Sequence, residues 1–209
     1  MKKLFLAAAT SAVLLTSATS SFAGEDQFYA LVEGGLSMLV KVTDKPTGVK
    51  LKPNTGGIIG LGVGYYLNDM IRGDLTLDFL LNPSFKKSGA QGVIKDKGKV
   101  TSLLVNGYVD FWELDKFKFF AGAGIGMAQV KETINYSGYS SAKTKKATNF
   151  AYQLSAGASA EISDGITVQA AYSWRDYGKT KAITVTGGGN AGSTKYRGNT
   201  ILAGIRFDM

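Results

Sequence analysis

The 209-residue chain contains neither cysteine nor histidine, and only three prolines. Without cysteine there is no disulfide framework, no thiolate zinc or iron–sulfur site and no thiol nucleophile. Without histidine the commonest general base is missing as well. Beyond residue 23 no apolar run is long enough for a transmembrane helix, so any membrane crossing must use strands. No metal, cofactor or catalytic site is expected from this inventory.

The single apolar run sits at the start. Lys2 and Lys3 precede Leu4–Leu15, and small residues then lead to Ser21-Phe22-Ala23. This is the pattern of a secretory signal peptide cut after Ala23, too short to span a bilayer. The expected division is a cleaved segment 1–23 and one domain over 24–209. Export argues against a nucleic-acid partner despite the formal charge of +8.

What remains is rich in glycine, with 27 residues, and alternates with period two rather than 3.6. Tyr152, Leu154, Ala156, Ala158, Ala160 and Ile162 share one face, with Gln153, Ser155, Ser159 and Glu161 opposite. Ile166, Val168, Ala170, Tyr172 and Trp174 repeat the pattern, as do Ile71, Leu75, Leu77, Phe79 and Leu81. Eight such segments are expected, near 28–40, 56–67, 71–82, 100–112, 117–130, 148–162, 166–178 and 197–209. Short turns alternate with long connections at 41–55, 83–99, 131–147 and 179–196. An even number of bilayer-length strands with this asymmetry predicts an all-β fold, an eight-stranded antiparallel transmembrane β-barrel in a bacterial outer membrane, with extracellular long loops and periplasmic termini. Tyr29, Tyr65, Phe79, Phe111, Phe117, Trp174 and Phe207 are candidates for the interfacial girdles. A soluble sandwich also alternates. It does not explain a second face made small by Gly60, Gly62, Gly64, Gly122, Gly124 and Gly126, which suits strands crowding a narrow lumen.

Parity then places Glu33, Asp74, Asp78, Asp110, Glu161 and Asp208 inside with Arg72, Lys118, Arg175 and Arg206. In a barrel of this size they are expected to pair and fill the interior. A proton path or a catalytic carboxylate pair is the competing reading, but no spacing singles one out. Asp176 shares the face of Tyr172 and Trp174, so the strand is expected to leave the membrane near Trp174, with Tyr177, Lys179 and Lys181 beyond it. Two further motifs mislead. Ser173–Thr180 approaches a phosphate loop but no helix follows, and Ala121–Gly126 mimics a dinucleotide fingerprint with its glycines at strict strand spacing.

The long connections with their edges hold 17 bases against Asp44, Asp96 and Glu132. Lys86, Lys87, Lys95, Lys97, Lys143, Lys145, Lys146, Lys179, Lys181, Lys195 and Arg197 are the candidate contacts for an acidic ligand, with Tyr136, Tyr139 and Tyr196 as aromatic anchors. The same lysines suit the anionic headgroups of lipopolysaccharide with no protein partner.

Leu104–Phe111, Phe120–Gly126, Thr148–Ser155, Tyr172–Lys181 and the terminal Arg206-Phe-Asp-Met209 resemble the rickettsial outer-membrane adhesins, small opacity-like eight-stranded barrels. The resemblance spans the signal peptide and the whole barrel. It implies a surface protein that aids host-cell attachment and binds host vitronectin, thereby resisting complement; with the basic loops and the missing histidine, the expectation is a monomeric, non-enzymatic barrel that takes vitronectin or another acidic surface or matrix ligand. The alternative is a structural barrel that stabilises the membrane through lipopolysaccharide contacts.

Overall fold

A computed structural model describes residues 28–39, 52–53, 55–81, 84–89, 92–135, 142–143, 146–179, 183–185, 189–191 and 195–209. The expected signal peptide, Tyr136, Tyr139, Lys145 and Lys181 lie outside them. Thirteen strands occur among the described residues: β1 (Phe28–Leu39), β2 (Lys52–Pro53), β3 (Thr55–Tyr66), β4 (Ile71–Leu81), β5 (Ser84–Gly89), β6 (Gly92–Leu114), β7 (Phe117–Asn135), β8 (Ala142–Lys143), β9 (Ala147–Ser163), β10 (Ile166–Lys179), β11 (Ile183–Val185), β12 (Gly189–Ala191) and β13 (Lys195–Asp208). No helix is among them.

Eight long strands make the barrel. They pair antiparallel in the order β6-β4-β3-β1-β13-β10-β9-β7, and β6 pairs with β7 to close the ring. Closure leaves no open edge, the condition for strands in a bilayer. The turns carry the expected chemistry: Asp164-Gly165 joins β9 to β10 with Gly165 at φ 69°, and Asp115 at φ 54° sits in the β6–β7 turn. Tyr29↔Asp208 in the β1–β13 register brings the two ends of the described chain together at the turn side.

Side chains on the outer face are apolar and exposed. Val105, Met127 and Phe150 stand 61%, 65% and 65% accessible. This is an inverted surface for a protein in water and the expected one for a barrel in lipid. Aromatic contacts mark both rims. Tyr152 meets Trp174 at 5.5 Å between ring centroids near the long-loop side, and Phe28–Tyr65 (4.8 Å) and Trp112–Phe119 (5.5 Å) lie at the turn side.

Three expectations need correction. Tyr29 is not a girdle residue. It is fully buried in the lumen, because it shares parity with Glu33. A register shift between Asp110 and Trp112 turns Phe111 and Trp112 both outward, which strict alternation does not anticipate. Finally, Asp176 does not keep the outward parity of Tyr172 and Trp174, although β10 ends at Lys179, within one residue of the expected boundary. Asp176 is buried rather than lipid-facing: its Oδ2 lies 2.8 Å from Lys195 Nζ, and its Oδ1 accepts the Gly178 N–H at 2.9 Å. The register with β13 shifts just after it, with Gly178 at φ 81°. Tyr177, expected outside, is instead buried inside the barrel.

The connections at 83–99 and 131–147 are also more ordered than expected. β6 and β7 extend past the lipid-facing stretch; β5 pairs onto β6, β2 onto β5 and β8 onto β7, so described parts of the first three connections form one antiparallel sheet continuous with the barrel wall.

Candidate functional site

The lumen has three levels along the barrel axis. At the long-loop side it is closed by apolar side chains. Ile58, Leu80, Val100, Val130 and Ala147 are successive register partners across β3, β4, β6, β7 and β9, and all are buried. Leu104, Ala128, Ala151, Tyr177, Tyr196 and Leu202 pack with this row. Tyr196, expected as an exposed anchor, is thus part of the plug. The sequence pattern hides this layer, because it consists of apolar residues at positions where other stretches of the same strands carry polar ones.

Below it lies the ionic layer that parity anticipates. Arg175 Nη1 sits 2.8 Å from Asp78 Oδ2 and its Nη2 3.5 Å from Glu33 Oε1, and all three side chains are buried. Ser102 Oγ also donates to Asp78, at 3.5 Å. A second chain runs through amides: Gln153 donates to the Asn106 oxygen at 2.6 Å, and Asn106 donates to Asp74 at 2.6 Å and to Thr76 at 3.0 Å. Tyr29 OH donates to Asp74 Oδ2 at 3.1 Å. Arg72 reaches Asp110 at 3.4 Å and stands over the Tyr108 and Phe120 rings, 4.2 and 4.7 Å from their centroids. Ion pairs and hydrogen bonds among buried side chains hold these charges, which fits a packed interior rather than a reaction centre.

The turn side opens into a cavity of about 820 Å³, whose walls include Asp69, Asp110, Glu113, Lys116, Lys118, Glu161, Thr167, Arg206 and Asp208. Lys118 and Glu161, expected in the buried lumen, are exposed here, and Lys118 pairs only loosely with Glu113 at 3.9 Å. They sit within a few residues of the turns, where the barrel widens to solvent. Arg206 is buried at the floor, 5.6 and 5.8 Å from the Tyr29 and Tyr66 ring centroids. Its Nε and Nη1 have no hydrogen-bond partner among the described residues. No group of three or more metal-ligating side chains occurs among the described residues.

With the loop side plugged, no open path joins the two ends among the described residues. The refolded barrel is expected to show no stepwise ion conductance in planar bilayers. Regular ohmic steps would mean that the apolar row opens in the membrane.

The long-loop rim carries the other candidate residues. Lys146, Lys179 and Arg197 are exposed. Lys195 is only partly so, since it holds Asp176, and it therefore serves the fold. Lys86, Lys87, Lys95, Lys97 and Lys143 occupy strand positions in the sheet built by the first three connections. The structure does not gather all of these cations at one point.

Comparison with known proteins agrees with this architecture. The family model described as "Outer membrane protein beta-barrel domain" matches residues 9–207. A protein of Rickettsia rickettsii (strain Sheila Smith) bearing the name "Putative adhesin" is 44% identical over 224 residues, covering 100% of both chains. A Rickettsia felis protein of the same name is also 44% identical, over 225 residues, again across 100% of both. Among solved structures, Neisserial surface protein A aligns over 87% of this chain and 97% of its own, with TM-score 0.57 and 18% identity. The attachment invasion locus protein Ail of Yersinia pestis, solved with the heparin analogue sucrose octasulfate, aligns over 87% and 99%, with TM-score 0.51 and 15% identity. Those two likenesses concern the fold. Full-length identity to the rickettsial proteins and a family match over nearly the whole chain place this eight-stranded barrel in the outer membrane protein β-barrel family.

Proposed function

We propose that this protein is a non-enzymatic bacterial surface adhesin, exported on a signal peptide comprising residues 1–23 and acting as a monomer through its long-loop end. In this reading the loops face the cell exterior and the termini the periplasm, as in barrels with short inner turns and long outer loops. The observation that carries it is the contrast between a sealed lumen and a rim of exposed cations, with Lys146, Lys179 and Arg197 free to meet a partner. Capture of an acidic stretch of a host protein by such a rim is a matter of steering and charge pairing. The relatives named as adhesins point the same way, and vitronectin is the host ligand that fits the rickettsial resemblance, with complement resistance as the consequence.

The test uses refolded protein, shown to be closed by heat-modifiable gel migration, over immobilised vitronectin at rising salt. Wild type is expected to bind with steep salt dependence. The charge-reversed K145E/K146E or K179E/K181E/R197E form is expected to lose about tenfold or more in affinity, near the scale of a few surface charge pairs. Lys195 is left intact because its reversal would set two carboxylates together. Binding that is absent in a folded wild type would remove vitronectin from the reading and favour a structural barrel.

A further inference from the structure

Two opposite charges in the turn-side cavity stand on one row of the barrel wall without meeting each other. Arg206 of β13 lies opposite Thr167 of β10, and Thr167 lies opposite Glu161 of β9. In an antiparallel sheet, residues directly opposite one another share a face, so all three belong to the inward face, and all three line the cavity. Neighbouring strands are about 4.8 Å apart, which sets the backbones of Arg206 and Glu161 roughly 10 Å from each other. Thr167 stands between them.

The other strand-borne charges in this wall have partners. Asp110 pairs with Arg72 at 3.4 Å, Lys118 with Glu113 at 3.9 Å, and Asp208 accepts the Tyr66 hydroxyl at 3.1 Å. Arg206 and Glu161 enter no ion pair among the described residues. The Arg206 side chain is only 3% accessible, and its Nε and Nη1 donate to nothing. A second guanidinium crowds it, since Arg72 Nη1 donates to the Tyr29 hydroxyl at 3.4 Å while Arg206 stands 5.6 Å from the Tyr29 ring centroid. Two buried cations thus share the cavity floor, and one of them has no carboxylate. A buried guanidinium left in that state is costly, and an anionic group brought to it removes the cost.

The charge of the wall narrows what that group belongs to. Acids outnumber bases around the cavity, Asp69, Asp115 and Asp164 of the turns among them, so a simple anion is repelled on its way to Arg206. A simple cation satisfies Glu161 and leaves Arg206 bare. We infer that the cavity binds a small zwitterion of the amino-acid or dipeptide class, its carboxylate held by Arg206, its ammonium by Glu161 and its polar middle by the Thr167 hydroxyl. A volume of about 820 Å³ suits a ligand of that size. Because the apolar row closes the other end, the ligand enters and leaves on the turn side. The site is therefore independent of the long loops and of any host ligand.

The full mature chain, refolded and closed by the heat-modifiable criterion, tests this by titration calorimetry with three probes. Alanyl-alanine carries both charges, N-acetyl-alanyl-alanine lacks the ammonium, and alanyl-alaninamide lacks the carboxylate. Wild type is expected to bind the free dipeptide about tenfold or more tightly than either blocked form, the scale of one charge-assisted hydrogen bond. E161Q changes an exposed side chain and is expected to fold, to lose the preference over the acetylated form and to keep the preference over the amide. R206Q is expected to lose the preference over the amide instead. K179E/R197E, at the opposite end of the barrel, should leave all three affinities within about twofold, since those charges lie well beyond the screening distance. If R206Q does not fold, E161Q decides alone, because a merely structural Glu161 would lower all affinities together or none. Absence of binding by folded wild type at millimolar dipeptide, equal affinity for the free and acetylated forms, or unchanged discrimination in E161Q would each overturn the inference.

Discussion

Replacing Arg175 with methionine is expected to produce the largest loss of stability available from one side chain in this barrel. Its guanidinium bridges Asp78 and Glu33, and all three side chains are buried. Removing the cation leaves two carboxylates facing each other without water, and breaking a buried pair in this way costs about 3–5 kcal/mol. The readout is the urea midpoint of the refolded barrel. R175M should move it sharply down or prevent refolding, whereas R175M/D78N/E33Q should recover much of the loss, because neutral groups no longer require a counter-charge. Unchanged midpoints in R175M would show that the lumen is hydrated enough to screen the two acids. The same comparison separates a structural interior from a working one, since a proton path would be lost in the triple variant although its stability returned.

The second large effect is steric and comes with an internal control. A Cβ placed on Gly126 would run into the Leu103 carbonyl oxygen of β6, a backbone atom that cannot swing aside, whereas one placed on Gly107 meets nothing within 4 Å. Gly126→Val is therefore expected to cost at least the roughly 1–3 kcal/mol of an overpacked core, because strands as well as side chains must move. Gly107→Val should be neutral or stabilising by up to about 1 kcal/mol, since a β-branched residue suits an exposed strand position better than glycine. Heat-modifiable migration and urea midpoints of the two variants decide the matter. If both behave alike, the glycines of β7 are not set by crowding.

These two experiments bear on how the protein is built for its work. The interior is plugged by apolar side chains at the long-loop side, so the charge available to a partner there lies on the rim. There the cations fall into two groups with different geometry. One occupies strand positions in the sheet built by the first three connections, and the other surrounds the ends of β9, β10 and β13.

Much of this was legible in the residues themselves. Period-two alternation marked the eight barrel strands to within a few residues, apart from the extended β6 and β7, and placed Glu33, Arg72, Asp74, Asp78, Arg175 and Arg206 inside. It did so because side-chain direction in a strand is a local property of the pleat. The same rule failed where the backbone departs from it. The register shift after Asp110 turned two consecutive aromatics outward, and beside the shift after Asp176 the Lys195 ammonium meets a carboxylate that sits buried where strict parity put the outer face. Lys118 and Glu161 kept their predicted parity, but their height on the barrel, near the turns, left them in the open cavity.

The sequence by itself determined the number of barrel strands, the face residues take wherever the pleat is regular, the absence of thiol and imidazole chemistry and the excess of cations in the long connections. Only the tertiary structure decided which strands pair in which register. From that pairing came the apolar row that plugs the long-loop side of the lumen and the two carboxylates that share Arg175. The reason is the range of the interactions: alternation is written in neighbouring residues, whereas register joins residues far apart in the chain and is fixed by the packing of the closed ring.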